Sequence, residues 1–539
     1  MKFIAAIMAD FETAPPGTRS RLREPLLGTP VICRTIKRLL RARAIASIHV
    51  ICPVRQGSIA ADALDGLEVR QERIESGPTP YAELIRAARW WGLDGWRGGV
   101  ASFCAFDEDF HAGVLSALAE REGADVVVSV PAAAAMIHPE LIDAMTGHYQ
   151  AKGHEFQMTF AQAPPGLAPF LIGKNLLQNL AQGHEPPGLI LAYNPDRPIA
   201  DLTVRDACYH ADAAVIESRG RLQCDTSRAF DRVRDLIEAG AEDWPAARIG
   251  QWLSDRDERF VEPVPREIEI ELTTERRPVG ASVLRPGGDA MPRRGPIDME
   301  TIRSISAAIA NDDDVCVVLG GHGDPCCHPA FAEICAALRS DAAAIAVRTP
   351  GTLDDPAVES ALFDVPVDVV EVTLDATSSD TYARVHGVDA FDDVTARVER
   401  WLERRVRGGR ARPLVVPSFV KSVDNLDEME AFFDHWQRRL GMQLITGHSD
   451  YGGQLPRRAV TSMSPPTRAG CRRTRSRVMV LADGSMTTCD QDFAGRQVVG
   501  SVKKCGLVEL WRRESWRDIR ERAVPKAPLC AACDQWQRP

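Results

Sequence analysis

The chain has 539 residues, of which 45% are hydrophobic and 26% charged. This composition is typical of a folded globular protein, and the length favours two to four domains over a single hydrophobic core. No stretch reaches the roughly 18 uninterrupted apolar residues that a membrane-spanning helix needs. The formal net charge of −10 argues against a general binder of nucleic-acid phosphates. A soluble protein with neither membrane nor nucleic-acid partners is therefore expected.

The N-terminal segment MKFIAAIMADFETAPP has one lysine and a short apolar run that Asp10 and Glu12 interrupt. It has no small-residue cleavage site, so we interpret it as a first buried strand rather than a signal peptide. Fourteen cysteines in a long chain without an export signal indicate thiols and metal ligands rather than disulfides. A cytoplasmic location is expected.

The first 130 residues alternate apolar runs typical of strands with amphipathic stretches typical of helices. The order is KFIAAIMA, PVICRTIKRLLRARA, SIHVICPV, YAELIRAARWWGL and ADVVVSV. This βαβα rhythm predicts a parallel sheet with helices on both faces, and such sheets bind ligands beyond the carboxyl ends of their strands. We assign this α/β domain to residues 1–245. Residues 246–265, rich in charge and proline towards their end, are predicted to be a linker.

A second alternation occupies residues 266–468. Its five strand-like runs are EIEIEL, VCVVLG, AAIAVRT, DVVEVTLD and PLVVPSFV, and helical stretches separate them. The pattern fits a (β/α) barrel or partial barrel, in which ligands bind at the carboxyl ends of the strands. Residues 469–539 form a third, small region of short strands and turns with five cysteines.

Four cysteines of the third region have the spacing of metal ligands. Cys471 and Cys489 flank a predicted β-hairpin, in which the runs VMVL and SMTTC and the turn ADG bring both thiols to one edge. Cys530 and Cys533 are separated by two residues, which lets neighbouring thiolates bind one metal centre. Spacing alone fits zinc and an iron-sulfur cluster equally well. Cys505 lies outside both pairs and is interpreted as a spare thiol.

The pattern C-x12-G-x4-C, the segment GSVKKCGLVELW and the terminal C-x2-C resemble the SPASM/twitch domain of radical S-adenosylmethionine (SAM) enzymes. In that family the domain carries auxiliary [4Fe-4S] clusters. Because only four cysteines match, the resemblance implies a single cluster, as in the shorter twitch form. Zinc is the alternative.

Residues 266–539 as a whole resemble the same family. The segment VVLGGHGDPCCHPAF is similar to the glycine-rich turn after the second barrel strand, where the family holds the amino group of SAM. VRTPGTL and VTLDATSSDTYARVHGVDAF are similar to later segments. The resemblance implies a cofactor-binding turn with free backbone amides and one carboxylate, formed by Gly320, Gly321, Gly323 and Asp324. A turn whose glycines serve only its backbone conformation is the alternative.

The cysteines of the radical cluster are missing. The family binds that cluster through C-x3-C-x2-C after the first barrel strand, and no cysteine occurs between Cys224 and Cys316. Cys326 and Cys327 are adjacent, which places them poorly to share one cluster. We therefore expect a degenerate radical SAM partial barrel. SAM binding without cleavage is an alternative.

Residues 1–245 resemble the sugar-nucleotide cytidylyltransferases, which have a Rossmann-like nucleotidyltransferase fold. The similar segments are TRSRLREPLLGTPVICRTIKRL, RWWGLDGWRGGVASFCAFDED and LQCDTSRAFDRV. The resemblance implies that Arg19, Arg21 and Arg23 clamp phosphates. It also implies that Asp107 and Asp225 hold the Mg²⁺ that neutralises a triphosphate.

Glu24 stands where that family has a phosphate-binding lysine, and a carboxylate there would repel a triphosphate. Two interpretations follow for a chain that resembles bacterial fusions of the two families. The first is an iron-sulfur protein with Mg²⁺-dependent nucleotidyl transfer to a sugar phosphate or sugar acid, and with a nucleotide or nucleotide sugar as its partner. The second is a non-catalytic scaffold or redox sensor in which both ancestral sites have decayed. Nucleotidyl transfer is favoured over active radical chemistry.

Overall fold

The computed structural model describes residues 1–75, 81–93, 96–193, 195–196, 206–259, 261–278, 280, 282–287, 291–339, 341–365, 367–408, 411–462, 464–468, 470–521 and 527–537. Contacts divide the chain into two compact units, Met1–Asp257 and Glu258–Pro539. Each unit is mixed α/β and is built on a largely parallel sheet. Among the described residues, no helix has the length and apolar character that crossing a membrane requires.

A seven-stranded sheet forms the core of the first unit, in the order β11-β9-β10-β8-β1-β4-β5. The strands of this unit, including two short ribbons outside the sheet, are β1 (Phe3–Met8), β2 (Pro25–Leu26), β3 (Thr29–Pro30), β4 (Ile45–Pro53), β5 (Arg70–Ile74), β6 (Gly98–Val100), β7 (Phe103–Cys104), β8 (Val126–Ser129), β9 (Met158–Ala161), β10 (Phe170–Gly173) and β11 (Cys208–Tyr209). Strands β8, β1, β4 and β5 are parallel, and β10 pairs antiparallel with both β8 and β9.

Helices cover both faces of this sheet, as the sequence predicts. Alternate residues of β1 point to opposite faces, so Ile4 belongs to one apolar core and Phe3, Ala5 and Ile7 belong to the other. The described α-helices of the unit are Val31–Leu39, Gly57–Ala63, Ala82–Gly92, Ala112–Glu122, Pro139–His148, Lys174–Gly183, Ala213–Glu217, Ser227–Glu238 and Ala246–Arg259.

The segment 246–265, predicted to be a linker, begins with the helix Ala246–Arg259. Its apolar residues Ile249 and Leu253 are fully buried in the core of the first unit. Burial of this apolar stripe makes residues 246–257 part of the first unit, since an amphipathic helix gains most of its stability from packing.

A nine-stranded sheet forms the second unit, in the order β17-β16-β15-β14-β13-β12-β18-β19-β20. The strands are β12 (Glu267–Glu271), β13 (Cys316–Gly320), β14 (Ala344–Thr349), β15 (Val369–Thr373), β16 (Leu414–Lys421), β17 (Leu444–Gly447), β18 (Arg477–Val480), β19 (Ser485–Thr487) and β20 (Val498–Ser501). The described α-helices are Met299–Ile309, Phe331–Arg339, Pro356–Phe363, Ser379–His386, Phe391–Arg407, Met429–Leu440, Arg473–Ser476, Val502–Cys505, Leu507–Trp511, Glu514–Glu521 and Pro528–Ala532.

Six consecutive strands, β12 to β17, are parallel neighbours joined by helices. Five of them follow the predicted runs, and β17 is additional. The C-terminal region continues the same sheet, because β18 pairs in parallel with β12 and then forms the predicted hairpin with β19. The limit predicted at residue 468 therefore falls between two strands of one sheet.

Strand β12 has one apolar and one acidic face. Ile268 and Ile270 enter the main apolar core, and the three glutamates of the strand lie on the opposite face, also buried. Each glutamate has an arginine partner: Glu267 pairs with Arg477 at 2.8 Å, Glu269 with Arg348 at 3.1 Å and Glu271 with Arg294 at 3.0 Å. Pairing of this kind offsets the cost of burying the three carboxylates.

Candidate functional site

The structure brings the four predicted metal-binding thiols together. Cys471 precedes the short helix that leads into β18, and Cys489 follows β19, so both stand at the same end of the hairpin. Cys530 lies in the helix Pro528–Ala532, and Cys533 ends that helix. Burial, with a further contribution from the nearby Cys471, raises the pKa of the thiols at the other three positions, to about 12 for Cys533. The four thiols are therefore close enough to influence one another electrostatically.

Polar groups around the quartet can stabilise thiolates. The backbone amide of Gln535 donates to Cys533 Sγ at 3.2 Å, and Gln497 Nε2 donates to Cys530 Sγ at 3.5 Å. Arg473, held 2.7 Å from Asp490, lowers the pKa of the Cys489 thiol against the larger effect of burial. Hydrogen bonds to ligand sulfurs and nearby charges are the means by which a protein tunes an iron-sulfur cluster.

The spacing of the quartet is wider than a zinc site. Among the described residues, which include all four cysteines, three ligand atoms within 4.8 Å of one another occur only at His49, Glu72 and Glu122. Four thiolates at about 2.3 Å from one zinc would lie roughly 3.8 Å apart.

The glycine-rich turn after β13 packs against the chain itself. A Cβ on Gly323 would lie 2.0 Å from the carbonyl oxygen of Thr273, and one on Gly321 would lie 2.7 Å from Glu271 Cβ. Asp324 is fully buried, and its Oδ1 accepts from Thr349 Oγ1 at 2.9 Å. The glycines of this turn are therefore required for close approach to the segment that follows β12.

Arginines occupy the segment in which the radical cluster would need cysteines. Arg276 Nε donates to the carbonyl of His322 at 2.7 Å. Arg285 forms a salt bridge with the buried Asp375, and Arg294 donates to a backbone carbonyl after β19 as well as to Glu271. Guanidinium groups cannot act as iron ligands, and the described arginines of this segment form salt bridges and hydrogen bonds to backbone carbonyls.

The first unit contains a cavity of about 630 Å³ beyond the carboxyl ends of the parallel strands. It lies next to Met8 of β1, Pro53 of β4 and Ile74 of β5, where the sequence predicts a ligand. The charged side chains on its wall include Arg21, Arg86, Arg89, Asp109 and Asp225. Opposed cationic and anionic groups on one wall suit a phosphate ligand with a divalent cation.

Of the three arginines of the predicted phosphate clamp, only Arg21 lines this cavity. Arg21 donates to Glu24 at 2.8 Å and to Ser227 Oγ at 2.6 Å. Arg19 is 76% exposed and pairs with the same glutamate, and Arg23 is exposed. Glu24, at the position of the family's lysine, thus forms salt bridges with two of the arginines.

The two predicted metal-binding aspartates have different surroundings. Asp107 does not line the cavity, since its carboxylate accepts from the backbone amides of Cys104 at 2.7 Å and Gly188 at 3.0 Å. Burial raises its pKa to about 7. Asp225 does line the cavity, but both of its oxygens accept from Arg89 at 2.8 Å.

Asp109, which the sequence analysis missed, also lines the cavity. Among the described residues, none donates a hydrogen bond to it or pairs with it, and burial together with Glu108 and Asp225 raises its pKa to about 8. The neighbouring acids Glu108 and Asp225 do have partners, since both form salt bridges with Arg89 and Arg221. The only signal in the sequence was that Asp107 and Asp109 lie in one acidic run.

Comparisons with known proteins support the C-terminal iron-sulfur domain. Residues 471–534 match the family model of SPASM, an iron-sulfur cluster-binding domain. An uncharacterized protein of Treponema pallidum (strain Nichols) is 25% identical over 316 residues, which are 55% of this chain and 86% of that protein.

Two solved structures are similar at low sequence identity. BtrN in complex with AdoMet and 2-DOIA is 13% identical with a TM-score of 0.33, covering 50% of this chain and 93% of BtrN. A cytidylyltransferase from Leptospira borgpetersenii serovar Hardjo-bovis (strain JB197) is 14% identical with a TM-score of 0.34, covering 48% of this chain and 95% of that one. The predicted α/β fold class with a C-terminal SPASM iron-sulfur domain is confirmed.

Proposed function

We propose that this chain is an iron-sulfur protein of the radical SAM/SPASM type that does not cleave SAM. One [4Fe-4S] cluster is bound by Cys471, Cys489, Cys530 and Cys533. The observation that carries the proposal is the convergence of these thiols from a hairpin and a helix, with hydrogen-bond donors aimed at two of the sulfurs. When bound, such a cluster supplies a one-electron redox centre and a covalent tie between the two elements.

Metal analysis tests this directly. Protein purified without air is expected to contain about four irons and four sulfides per chain, as one cubane requires. The Cys489→Ser variant should lose the iron and sulfide. The Cys505→Ser variant should keep them, because the Cys505 thiol accepts a hydrogen bond from Arg513 and does not belong to the quartet. One zinc without iron would contradict the proposal. About eight irons would show that a radical cluster is present after all.

For the first unit we propose Mg²⁺-dependent nucleotidyl transfer in the larger cavity. Arg21 would bind the phosphates, and Asp109 would hold the metal with Asp225 behind it. The cation would neutralise the triphosphate. An acceptor oxygen forms a bond to the α-phosphorus, the bond from that phosphorus to the bridging oxygen breaks, and pyrophosphate leaves with the electron pair. A proton on the acceptor passes to water.

A non-catalytic role remains the second candidate for this unit. The observation in its favour is that Glu24 and Arg89 engage Arg21 and Asp225, two groups that a nucleotide and its metal would need. In a scaffold or redox-sensing protein these ion pairs would stay formed, and no nucleotide or metal would replace them.

Pyrophosphate release separates the two candidates. The assay uses each of the four nucleoside triphosphates with a panel of sugar acids, sugar phosphates and small aromatic carboxylates, with and without Mg²⁺. Transfer is expected to need Mg²⁺ and to be lost in Asp109→Asn, while Arg43→Gln, a change at a surface side chain that is 91% exposed, serves as the control. Absence of release with every combination would favour the scaffold.

A further inference from the structure

A second cavity of about 240 Å³ adjoins the first and shares Asp109, Pro131 and Gln223 with it. We propose that this smaller cavity is a separate binding compartment for a small organic carboxylate with a flat, apolar body. Its role as the acceptor compartment rests on the proposed nucleotidyl transfer, but the binding itself does not.

A cation without a counterion indicates the charge of the ligand. Arg97 lines the smaller cavity, and its two terminal nitrogens donate to the backbone carbonyls of Ile216, at 2.9 Å, and Ser218. Among the described residues no carboxylate pairs with Arg97, and burial and the nearby Arg219 lower its pKa. A half-buried guanidinium with donors to spare and no ion-pair partner among the described residues is a site for a carboxylate.

The remaining wall indicates the shape of the ligand. Phe106 and Phe170 stack with ring centroids 4.2 Å apart and planes 8° apart, and Phe160 lies 6.0 Å from Phe106. All three line the smaller cavity. The uncharged polar side chains on the wall are few, namely Ser129, Gln162 and Gln223. Such a wall favours a planar apolar body over a polyhydroxylated one, whose hydroxyls would be left without partners.

The compartment is held in shape before any ligand binds. Residues 162–169 contribute three prolines to its wall. Their loop is fixed by hydrogen bonds from the amide of Leu222 to the carbonyl of Pro165 at 2.8 Å and from the amide of His138 to that of Leu167 at 2.9 Å. A rigid wall lowers the entropic cost of binding a small ligand.

Asp109 stands where the two cavities meet. It is the one charged residue whose side chain lines both. A ligand held by Arg97 in the smaller cavity would therefore present its other end to the carboxylate that we propose as the metal ligand, next to a nucleotide in the larger cavity.

Binding without nucleotide tests the inference. Calorimetry on the full chain compares benzoate with benzyl alcohol, which has the same ring and no charge, and with gluconate, a carboxylate with a polyhydroxylated body. Benzoate is expected to bind roughly tenfold or more tightly than either, the usual scale of one charge-assisted contact. Arg97→Gln should remove the preference for benzoate over benzyl alcohol, Arg97→Lys should keep part of it, and Arg43→Gln should leave it unchanged.

Equal affinity for benzoate and benzyl alcohol, tighter binding of gluconate, or a preference that survives in Arg97→Gln would overturn the inference. Binding of each nucleoside triphosphate is measured separately on the same proteins. Benzoate binding without any nucleotide binding would support the compartment and contradict the proposed transfer. Nucleotide binding and transfer without benzoate binding would support the proposed transfer and contradict the carboxylate compartment.

Discussion

Asp107 and Asp109 are two residues apart and have opposite surroundings. A 3-10 turn over Ala105–Asp107 places the first carboxylate against backbone amides, while the second faces the cavity. The resemblance to cytidylyltransferases selected Asp107 because a resemblance compares sequences alone. Which of the two aspartates faces the cavity depends on the backbone turn, which the sequence comparison does not reveal. The cysteine quartet could be found from sequence because its spacing is itself the signal.

The two aspartates should respond differently to substitution. Asp107→Ala is expected to lower the free energy of unfolding by about 1–3 kcal/mol, since it leaves two buried amides without an acceptor. Asp109→Ala should leave stability at pH 7 unchanged or raised, because it removes a half-buried carboxylate that lacks a partner among the described residues. Urea unfolding measures both. Equal losses of stability would contradict this assignment of roles.

Arg473 and Asp490 should shift the reduction potential of the cluster in opposite directions. Both lie beside Cys489, and reduction adds negative charge. Arg473→Gln is therefore expected to lower the potential and Asp490→Asn to raise it in a redox titration followed by EPR. The exposed neighbour Arg472 gives the matched control, Arg472→Gln, which should leave it unchanged. Shifts of the same sign in the first two variants would refute the assignment.

At the scale of elements, the turn from Gly320 to Asp324 keeps the sequence pattern of a cofactor site but contacts its own chain. Gly323→Ala would place a methyl 2.0 Å from a backbone oxygen, which we expect to cost about 2 kcal/mol or more. Gly320→Ala has its nearest neighbour at 3.4 Å and should be tolerated. Thermal unfolding of the two variants makes the comparison, and equal stability would mean that the turn can move away.

The loop before the helix Met299–Ile309 is anchored to the end of β15 through Arg285 and Asp375. This aspartate is fully buried and also accepts from the amide of Val420 at 2.6 Å. Despite burial, Arg285 and the neighbouring His386 hold the pKa of Asp375 well below its usual range.

Because the pKa of Asp375 is lower in the folded state than in the unfolded state, its ion pair stabilises the fold in a pH-dependent way. The stabilisation is present above the unfolded pKa of about 3.9 and is lost as the pH falls through the folded value. Asp375→Asn is expected to lower stability by roughly 3–5 kcal/mol at pH 7, the cost of breaking a buried pair. The difference from the wild type should hold down to about pH 4 and shrink below it. A constant difference at every pH would show that the carboxylate is not charged in the fold.

At the scale of the whole molecule, strands with strong apolar runs were predicted, and several weaker strands were missed, among them β5, β9, β10 and β17. Leu444–Gly447 forms β17 with only two large apolar residues, all four positions being half-buried. Its position at the sheet edge depends on pairing with β16, which local sequence does not encode. The pairing of β18 with β12, more than two hundred residues away in sequence, could not be predicted for the same reason.

The second unit should bind its cluster alone. All four cysteines and the strands that carry the hairpin lie within Glu258–Pro539. A fragment of residues 258–539 is therefore expected to contain as much iron per chain as the full protein and to show the same EPR spectrum. Loss of iron in this fragment, with its circular dichroism unchanged, would show that the first unit contributes to the centre.

The parallel pairing of β12 with β18 also concerns solubility. Without residues 469–539, β12 would become an edge strand, and the backbone groups that now bond Arg477–Val480 would be open to a strand from another molecule. Glu267 would at the same time lose its guanidinium partner, Arg477. Residues 469–539 thus also protect the edge of the sheet at β12 from pairing with other molecules and aggregating. A lineage that had lost the use of the cluster would still be under selection to keep the polypeptide that binds it.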